Sequence, residues 1–502
     1  MTSRTITVYL ENENATKLLG EDLALALGKR SLIYLTGDLG MGKSTFARAF
    51  IRAACDDLDL DVPSPTFTLA QTYHGNSATG LIAHFDLYRL EDGFEAEELG
   101  IDDALETGIA LIEWPERGSG FIPDFDLEIE FAETGPVARS AKLSGNSPVM
   151  ERIERSLAIR KFLSENWSPA VTRRYMLGDA STRTYETAEF NGHKRILMNA
   201  PPMADGPIMA NGKPYSQIAH LAEDVRPYVA ITHLLRERGF EAPEIYAEDL
   251  DNGFLIIDHF GHEGVLDDKG TPDASKYLAA VKVLAQMHSH NWPEKVPVGE
   301  IGTHIIPTYD LDAMMIEVDL LAKWYVPRFT GKPLNDDALK EFEAIWRELI
   351  KHLADAEKTL VLRDYHSPNL LWLAENEPDH RIGLIDFQDA MIGPSAYDVA
   401  SLAQDARVII PQKLEQNLLN RYLQERCAFQ ADFDRDGFLE AYAIMAAQRA
   451  TKVLGIFVRL DERDRKPAYL AHIPHMQTYL KHSLKHPILA KLKSWLNTNA
   501  GF

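Results

Sequence analysis

Gly37-Asp38-Leu39-Gly40-Met41-Gly42-Lys43-Ser44 decides how the first part of this chain folds. The stretch fits G-x-x-x-x-G-K-[ST], in which glycines let backbone N–H groups turn inward around phosphate oxygens. An apolar strand over 31–36 runs into it, and a helix over 43–54 leaves it. At that junction the helix N-terminus adds partial positive charge. Lys43 then reaches the β- and γ-phosphates, and the Ser44 hydroxyl is a ligand for Mg²⁺. Gly37, Gly40, Gly42 and Thr45 complete the nucleotide-binding set. The plainer alternative is a glycine-rich strand-to-helix turn with no ligand.

Outward from this loop the pattern alternates. Strands are predicted over 6–10, 80–88 and 109–114, and a helix over 13–27 that stops at Gly28. Such alternation implies a mostly parallel sheet covered by helices, an α/β architecture. Ser64-Pro65-Thr66-Phe67 offers the Thr66 hydroxyl to the same cation. His84-Phe85-Asp86-Leu87-Tyr88-Arg89 ends a strand with a carboxylate at its tip. Ala110-Leu111-Ile112-Glu113-Trp114-Pro115-Glu116 places another carboxylate after an apolar strand, where a water-orienting or second metal-shell group belongs. Taken singly, Asp86 could cap the turn or pair with Arg89, and Glu113 could be a solvated strand end.

Together, GDLGMGKST, SPTF, HFDLYRL and EWPERG, in that order over about residues 5–135, resemble the TsaE family of small bacterial ATPases. The resemblance implies a P-loop α/β domain that hydrolyses ATP and works with TsaB- and TsaD-type proteins. Its pathway makes threonylcarbamoyladenosine in tRNA, so tRNA is an indirect partner. It assigns Lys43, Ser44, Thr66 and Asp86 to nucleotide and metal, and Glu113 and Trp114 to the site lining, with Glu113 catalytic.

A second constellation lies far downstream. Arg363-Asp364-Tyr365-His366-Ser367-Pro368-Asn369 carries Asp and Asn five apart, and an apolar strand over 381–385 delivers Asp386. This is the layout of a kinase catalytic loop, a hairpin and a metal-binding Asp. Asp364 is the candidate base for an attacking hydroxyl, and Asn369 and Asp386 are candidate Mg²⁺ ligands. Upstream, Leu177-Gly178-Asp179-Ala180-Ser181-Thr182 could cover phosphates, with Gly178 and Ser181 as contacts, or be an ordinary hairpin turn. The strand 253–257 leads to Asp258 at a nucleotide hinge, or is only core. His288 and His290 stand two apart, do not share a helical face, and are read as structural.

LRDYHSPNL, LIDFQDA and GPSAYDVASL resemble the aminoglycoside phosphotransferase family, a bilobal kinase-like α+β fold. GDASTRTY and ILMNAPP resemble more narrowly its AmgK group, anomeric kinases of N-acetylmuramate and N-acetylglucosamine used in cell-wall recycling. The implied reaction moves the γ-phosphoryl of ATP to the anomeric hydroxyl of a small amino sugar. Two positions depart from the family. No lysine stands at the strand-three position in Arg195-Ile196-Leu197-Met198-Asn199, where Lys194, Arg183 or Arg195 are the nearby cations. Leu362 replaces a frequent His.

The chain's 502 residues suggest two to four domains. A net charge of −23 disfavours a direct nucleic-acid clamp. Residues 1–149 hold 11 basic and 25 acidic residues, so the deficit is concentrated in the first part. Two cysteines, Cys55 and Cys427, fit a reducing cytosol rather than a disulfide framework. The N-terminus lacks an apolar signal core, and no run is long enough to span a membrane, so a cytoplasmic protein is expected. The end of 133–148 reads as a linker. The expected division is therefore 1–149 for the ATPase domain and 150–502 for the kinase domain, with a small lobe over about 150–262 and a helical lobe over about 263–502. Both pieces are expected to fold alone. The rival readings of the second part are a kinase of another hydroxyl acceptor (an aminoglycoside, choline or homoserine) and a pseudokinase that regulates its neighbour.

Overall fold

The computed structural model describes residues 3–176, 183–203, 206–210, 212–299 and 302–502. They divide into two compact units. The first comprises residues up to 200 together with 246–249 and 254–257, and the second the remainder.

The first unit begins with β1 (Ser3–Leu10), α1 (Glu13–Ala26), β2 (Ser31–Thr36), α2 (Lys43–Ala54), β3 (Ala70–His74) and β4 (Leu81–Asp86). It continues with α3 (Ile101–Thr107), β5 (Gly108–Glu113), β6 (Leu127–Glu133) and β7 (Arg139–Asn146). The seven strands form one sheet in the order β1-β7-β6-β2-β5-β4-β3. Its centre, β6-β2-β5-β4, is parallel, and the outer pairings are antiparallel. The parallel core was legible from the alternation; β3 and β6 were not read as strands. Ile109 and Leu111 point to one face, into a core with Phe46, Phe50 and Ile51 of α2 and Leu19 and Leu23 of α1. Helices α1 and α2 touch closely at Gly20, where a Cβ would meet the Phe46 carbonyl oxygen at 2.9 Å. Parallel strands place their carboxyl ends side by side, so the loop after β2 and the tips of β4 and β5 meet at one edge.

The stretch read as a linker is continuous secondary structure. β7 ends at Asn146, whose side chain accepts from the Val149 N–H at 3.1 Å and starts α4 (Ser147–Asn166), with Pro148 in the first turn. The expected cut at 149/150 therefore falls inside a helix. Turn-forming residues were read as a loop, whereas Asn-Ser-Pro here is a helix start. Val149, Met150 and Ile153 of α4 belong to the core of the first sheet. Ile159, Phe162 and Leu163 belong to the core of a second one. One helix thus serves two sheets.

That second sheet follows from β8 (Thr172–Met176), β9 (Thr184–Phe190) and β10 (His193–Asn199). After the hairpin β11 (Ile208–Ala210)–β12 (Lys213–Pro214) and helices α5 (Tyr215–Ile218) and α6 (Arg226–Glu237), β13 (Ile245–Asp249) and β14 (Phe254–Asp258) complete it. The order is β13-β14-β10-β9-β8. Between its core and that of the first sheet lies a buried charge cluster. Arg173 Nε and Nη2 donate to both oxygens of Glu186 at 2.7 and 2.9 Å, and Nη1 donates to Asp22 at 2.6 Å. Arg160 donates to Asp22 at 2.7 Å and to Glu21 at 2.6 Å. The Arg173 N–H donates to Glu21 at 2.7 Å, and Ser156 Oγ donates to the Asp22 carbonyl at 2.7 Å. Burial works against the Arg160 charge, but Asp22 and Glu21 outweigh it and push its pKa up.

The second unit is mainly helical. Its strand segments are short: Lys358–Val361 pairs with Met391–Pro394, and Leu370–Trp372 pairs with Ile382–Leu384. The strand pair read near 370–386 is the latter hairpin. Helix Arg435–Glu462 runs through the core with Met445, Ala447 and Leu454 fully buried. No helix among the described residues is long and apolar enough to cross a membrane.

Candidate active sites

At the carboxyl edge of the first sheet, the loop after β2 wraps a cleft of about 260 Å³. Gly40, Gly42, Lys43, Ser44, Thr45, Thr66, Asp86, Glu113 and Trp114 all line it, so the sequence-assigned residues converge. Gly37 sits at the loop's base with φ +119°, and a Cβ there would lie 2.3 Å from the Phe131 carbonyl oxygen. Only glycine fits. Lys43 Nζ donates to the Gly37 and Asp38 carbonyls at 2.6 and 2.9 Å and lies 3.8 Å from the centroid of Trp114. Burial pulls its ammonium below the ordinary value, while Glu113, Glu116 and Asp86 oppose the shift.

Asp86 and Glu113 are register partners at the tips of β4 and β5. Thr66 Oγ1 donates to Asp86 Oδ2 at 2.5 Å, and Ser64 Oγ donates to the same oxygen at 3.3 Å. Ser44 Oγ donates to Glu113 Oε2 at 2.9 Å. Two carboxylates that accept from three hydroxyls therefore flank the cleft. Such hard oxygen donors suit Mg²⁺, which usually takes one or two carboxylates and leaves other positions to phosphates and water. Among the described residues no group of three His, Cys, Asp or Glu side chains could hold an ion by itself.

The second site lies in the second unit. Arg363 takes φ +69° and turns the chain at Asp364. Asn369 Nδ2 donates to the Asp364 carbonyl at 3.0 Å and reaches Asp386 Oδ2 at 3.4 Å. Gln388 Nε2 donates to Asp386 Oδ1 at 2.9 Å. Asp364, Asn369 and Asp386 are thus tied into one group. Burial works to raise the Asp364 pKa, but His366, Lys452, Arg363 and Arg449 outweigh it and hold the carboxyl below its ordinary value.

Sequence reasoning missed what holds this loop. Asp398 accepts from the Leu362 and Arg363 N–H groups at 2.5 and 2.9 Å, and burial pushes its carboxyl up to about 7. Glu317 accepts from Arg363 and Tyr309, from Gln448 at 2.9 Å and from Lys452 at 2.9 Å. Asp405 accepts from the Ser367 N–H at 2.8 Å. Asp398 stood in the quoted GPSAYDVASL without a role. Glu317 lies 46 residues before its partner and gave no local signal.

The remaining assignments divide. Asp258 Oδ2 accepts from the Glu244 N–H at 2.9 Å, which fixes the end of β14. Gly178 and Ser181 lie outside the described residues. Of the cations considered in place of a strand-three lysine, Lys194 is exposed beside Glu189 at 3.9 Å. Arg195 lies between the rings of Trp167 and Tyr246, at 4.5 and 3.7 Å. His288 is buried, with Nδ1 2.8 Å from the Tyr422 hydroxyl, a packing role.

Comparison with known proteins agrees with both geometries. The model of the phosphotransferase enzyme family (APH) matches residues 174–439, and the model of the threonylcarbamoyl adenosine biosynthesis protein TsaE matches residues 10–141. An N-acetylmuramate/N-acetylglucosamine kinase of Caulobacter vibrioides is 35% identical over 356 residues, 68% of this chain and 96% of that protein. A TsaE of Haemophilus influenzae is 40% identical over 128 residues, 24% of this chain and 78% of that protein. The chain belongs to the TsaE family in its first part and to the phosphotransferase family in its second. The N-acetylmuramate/N-acetylglucosamine kinase of Pseudomonas aeruginosa, 32% identical over 66% of this chain and 90% of its own length, falls in the same phosphotransferase group. The TsaE match covers the loop after β2 and both carboxylate tips. The phosphotransferase match covers Asp364, Asn369 and Asp386. The chain is accordingly an α/β P-loop domain followed by a kinase-like α+β domain, and both families use ATP.

Proposed function

We propose that this chain is bifunctional. Its first part is the ATPase of the tRNA threonylcarbamoyladenosine pathway, acting with TsaB- and TsaD-type partners in the cytoplasm. Its second part transfers the γ-phosphoryl of ATP to the anomeric hydroxyl of N-acetylmuramate and N-acetylglucosamine. The observation that carries the reading is the grouping of Asp364, Asn369 and Asp386, on a chain 35% identical to such a kinase across nearly all of that protein. The intact group also argues against a pseudokinase.

In the second site Asp364 accepts the hydroxyl proton as the sugar oxygen forms its bond to phosphorus. The bond from phosphorus to the bridging oxygen breaks, and ADP leaves. A hemiacetal hydroxyl is more acidic than an ordinary alcohol, so a carboxylate held below its usual pKa is a sufficient base. Asn369 Nδ2 is spent on the Asp364 carbonyl, so its Oδ1, together with the Asp386 carboxylate, would hold the cation. In the first site Lys43 and the loop N–H groups would hold phosphates, Ser44, Thr66 and Asp86 would hold the cation, and Glu113 would orient water. Bound Mg²⁺ would draw charge from the phosphates at each site.

Blocking the anomeric hydroxyl tests the acceptor. Methyl glycosides of both sugars are expected to receive no phosphate from the full chain, whereas the free sugars give a 1-phosphate by phosphorus NMR. Phosphate on a methyl glycoside would refute the anomeric assignment. Lys43→Ala is expected to abolish sugar-independent ATP hydrolysis and support of tRNA modification, with sugar phosphorylation retained. Equal loss of both would refute separate sites.

A further inference from the structure

The motif His84-Phe85-Asp86 contributes a residue that the reading above leaves without work. His84 lies two residues before Asp86 on β4 and is 1% exposed. Residues two apart on a strand share a face. The tips of β4 and β5 run in register, so that face carries His84 towards Glu113. His84 Nε2 lies 3.0 Å from Glu113 Oε1, and Glu113 is itself 2% exposed. The other carboxylate oxygen, Oε2, accepts from Ser44 Oγ. Glu113 is therefore held at both oxygens, by the imidazole from the core side and by the loop hydroxyl from the cleft side.

A carboxylate is an acceptor only, so the proton of this contact sits on Nε2. His84 Nδ1 is buried without a hydrogen-bond partner among the described residues. The ring thus makes one directed bond, and that bond goes to Glu113. Ile109 and Leu111 on β5 and Ile82 on β4 line the same face. Amid these apolar neighbours the position carries a ring whose Nε2 meets Glu113.

We propose that His84 is a positioning residue for ATP hydrolysis in the first site: its Nε2–H fixes the rotation of the Glu113 carboxylate, so that Oε2 stays on Ser44 and the carboxylate keeps one direction toward the phosphates. The proposal rests on the ATPase reading above, in which Glu113 orients water.

The test uses the full chain with Asp364→Asn to silence the kinase half, and single-turnover ATP hydrolysis without sugar. His84→Phe keeps the ring volume and removes the donor. It is expected to lower the rate about 10–100-fold, the usual range for a residue that orients an active group, with ADP affinity by calorimetry changed less than about threefold. His84→Gln, which restores an N–H donor at similar reach, should recover most of that loss. Adding His84→Phe to Glu113→Ala should cost nothing further, because the group being oriented is gone. In ¹⁵N NMR the His84 ring should show a proton on Nε2, with a shift that moves in Glu113→Gln. An unchanged rate in His84→Phe, equal losses in the Phe and Gln variants, or a fully additive double variant would each overturn the proposal. Lys43→Ala is run in parallel. If it too leaves hydrolysis intact, the ATPase reading itself fails; if it abolishes hydrolysis while His84→Phe does not, only the role of His84 fails.

Discussion

Asp364→Asn is expected to lower sugar phosphorylation by about 10²–10⁴-fold, the usual worth of general-base catalysis, or about 3–5 kcal/mol of barrier. The loss should fall on turnover. The amide keeps the carboxylate's shape, and the Asn369 bond runs to the Asp364 backbone carbonyl, which the substitution leaves in place. Asn369 and Asp386 stay tied, so ATP affinity should change little. The pH dependence follows from the direction of the Asp364 shift. Its carboxyl is held below the ordinary value, so it is already ionised at neutral pH and loses its charge only on strong acidification. Between about pH 5 and 8, well above any ordinary carboxyl value, the wild-type rate should carry no protonation loss from this group. Steady-state kinetics with phosphorus NMR detection decides the matter, and unchanged turnover in the Asn variant would remove Asp364 as the base.

Arg173→Met is expected to cost about 3–5 kcal/mol of stability, because removing one partner of a buried ionic cluster leaves the others uncompensated. Glu186 would lose a two-oxygen partner, and Asp22 one of its two guanidinium groups. An exposed pair would cost under about 1 kcal/mol. Urea unfolding followed through the first unit distinguishes the two, since the midpoint shift scales with the stability lost. A shift matching the exposed-pair value would mean that water reaches the cluster. By the same argument, expressing 150–502 alone would leave Arg160 and Arg173 without Glu21 and Asp22, and would bare Met150 and Ile153. Two independently soluble pieces are therefore no longer the expected outcome.

Much of the first site was legible because its chemistry is local. Glycines, lysine and serine stand within eight residues, and the two carboxylates each end an apolar run whose direction is set by the parallel sheet. Strand β6 escaped because about half of its residues face water and resemble loop. The start of helix α4 escaped because Asn146-Ser147-Pro148 carries turn-forming residues that are also helix-start residues; which role they play is decided by Val149, Met150 and Ile153 packing into a core built by residues far upstream. In the second site the grouping of Asp364, Asn369 and Asp386 was read from its spacing. Its supports were not, since Asp398 and Glu317 act through contacts 35 to 46 residues distant in sequence. His84 was quoted and passed over, because a histidine in an apolar strand gains meaning only from the neighbouring strand's register.

The helix that serves two sheets has a consequence for the cell. A flexible tether between two enzymes can be lost by a single break in the gene, and each product can then be made in its own amount. Here a break before α4 would also leave Glu21 and Asp22 on one product and Arg160 and Arg173 on the other, and would bare the apolar face of α4. Fusion of this kind works as a ratchet. It also fixes dosage: one copy of the tRNA-modification ATPase is made for every copy of the sugar kinase, so a change in demand for one must be met by adjusting the activity of the other, because their amounts cannot diverge.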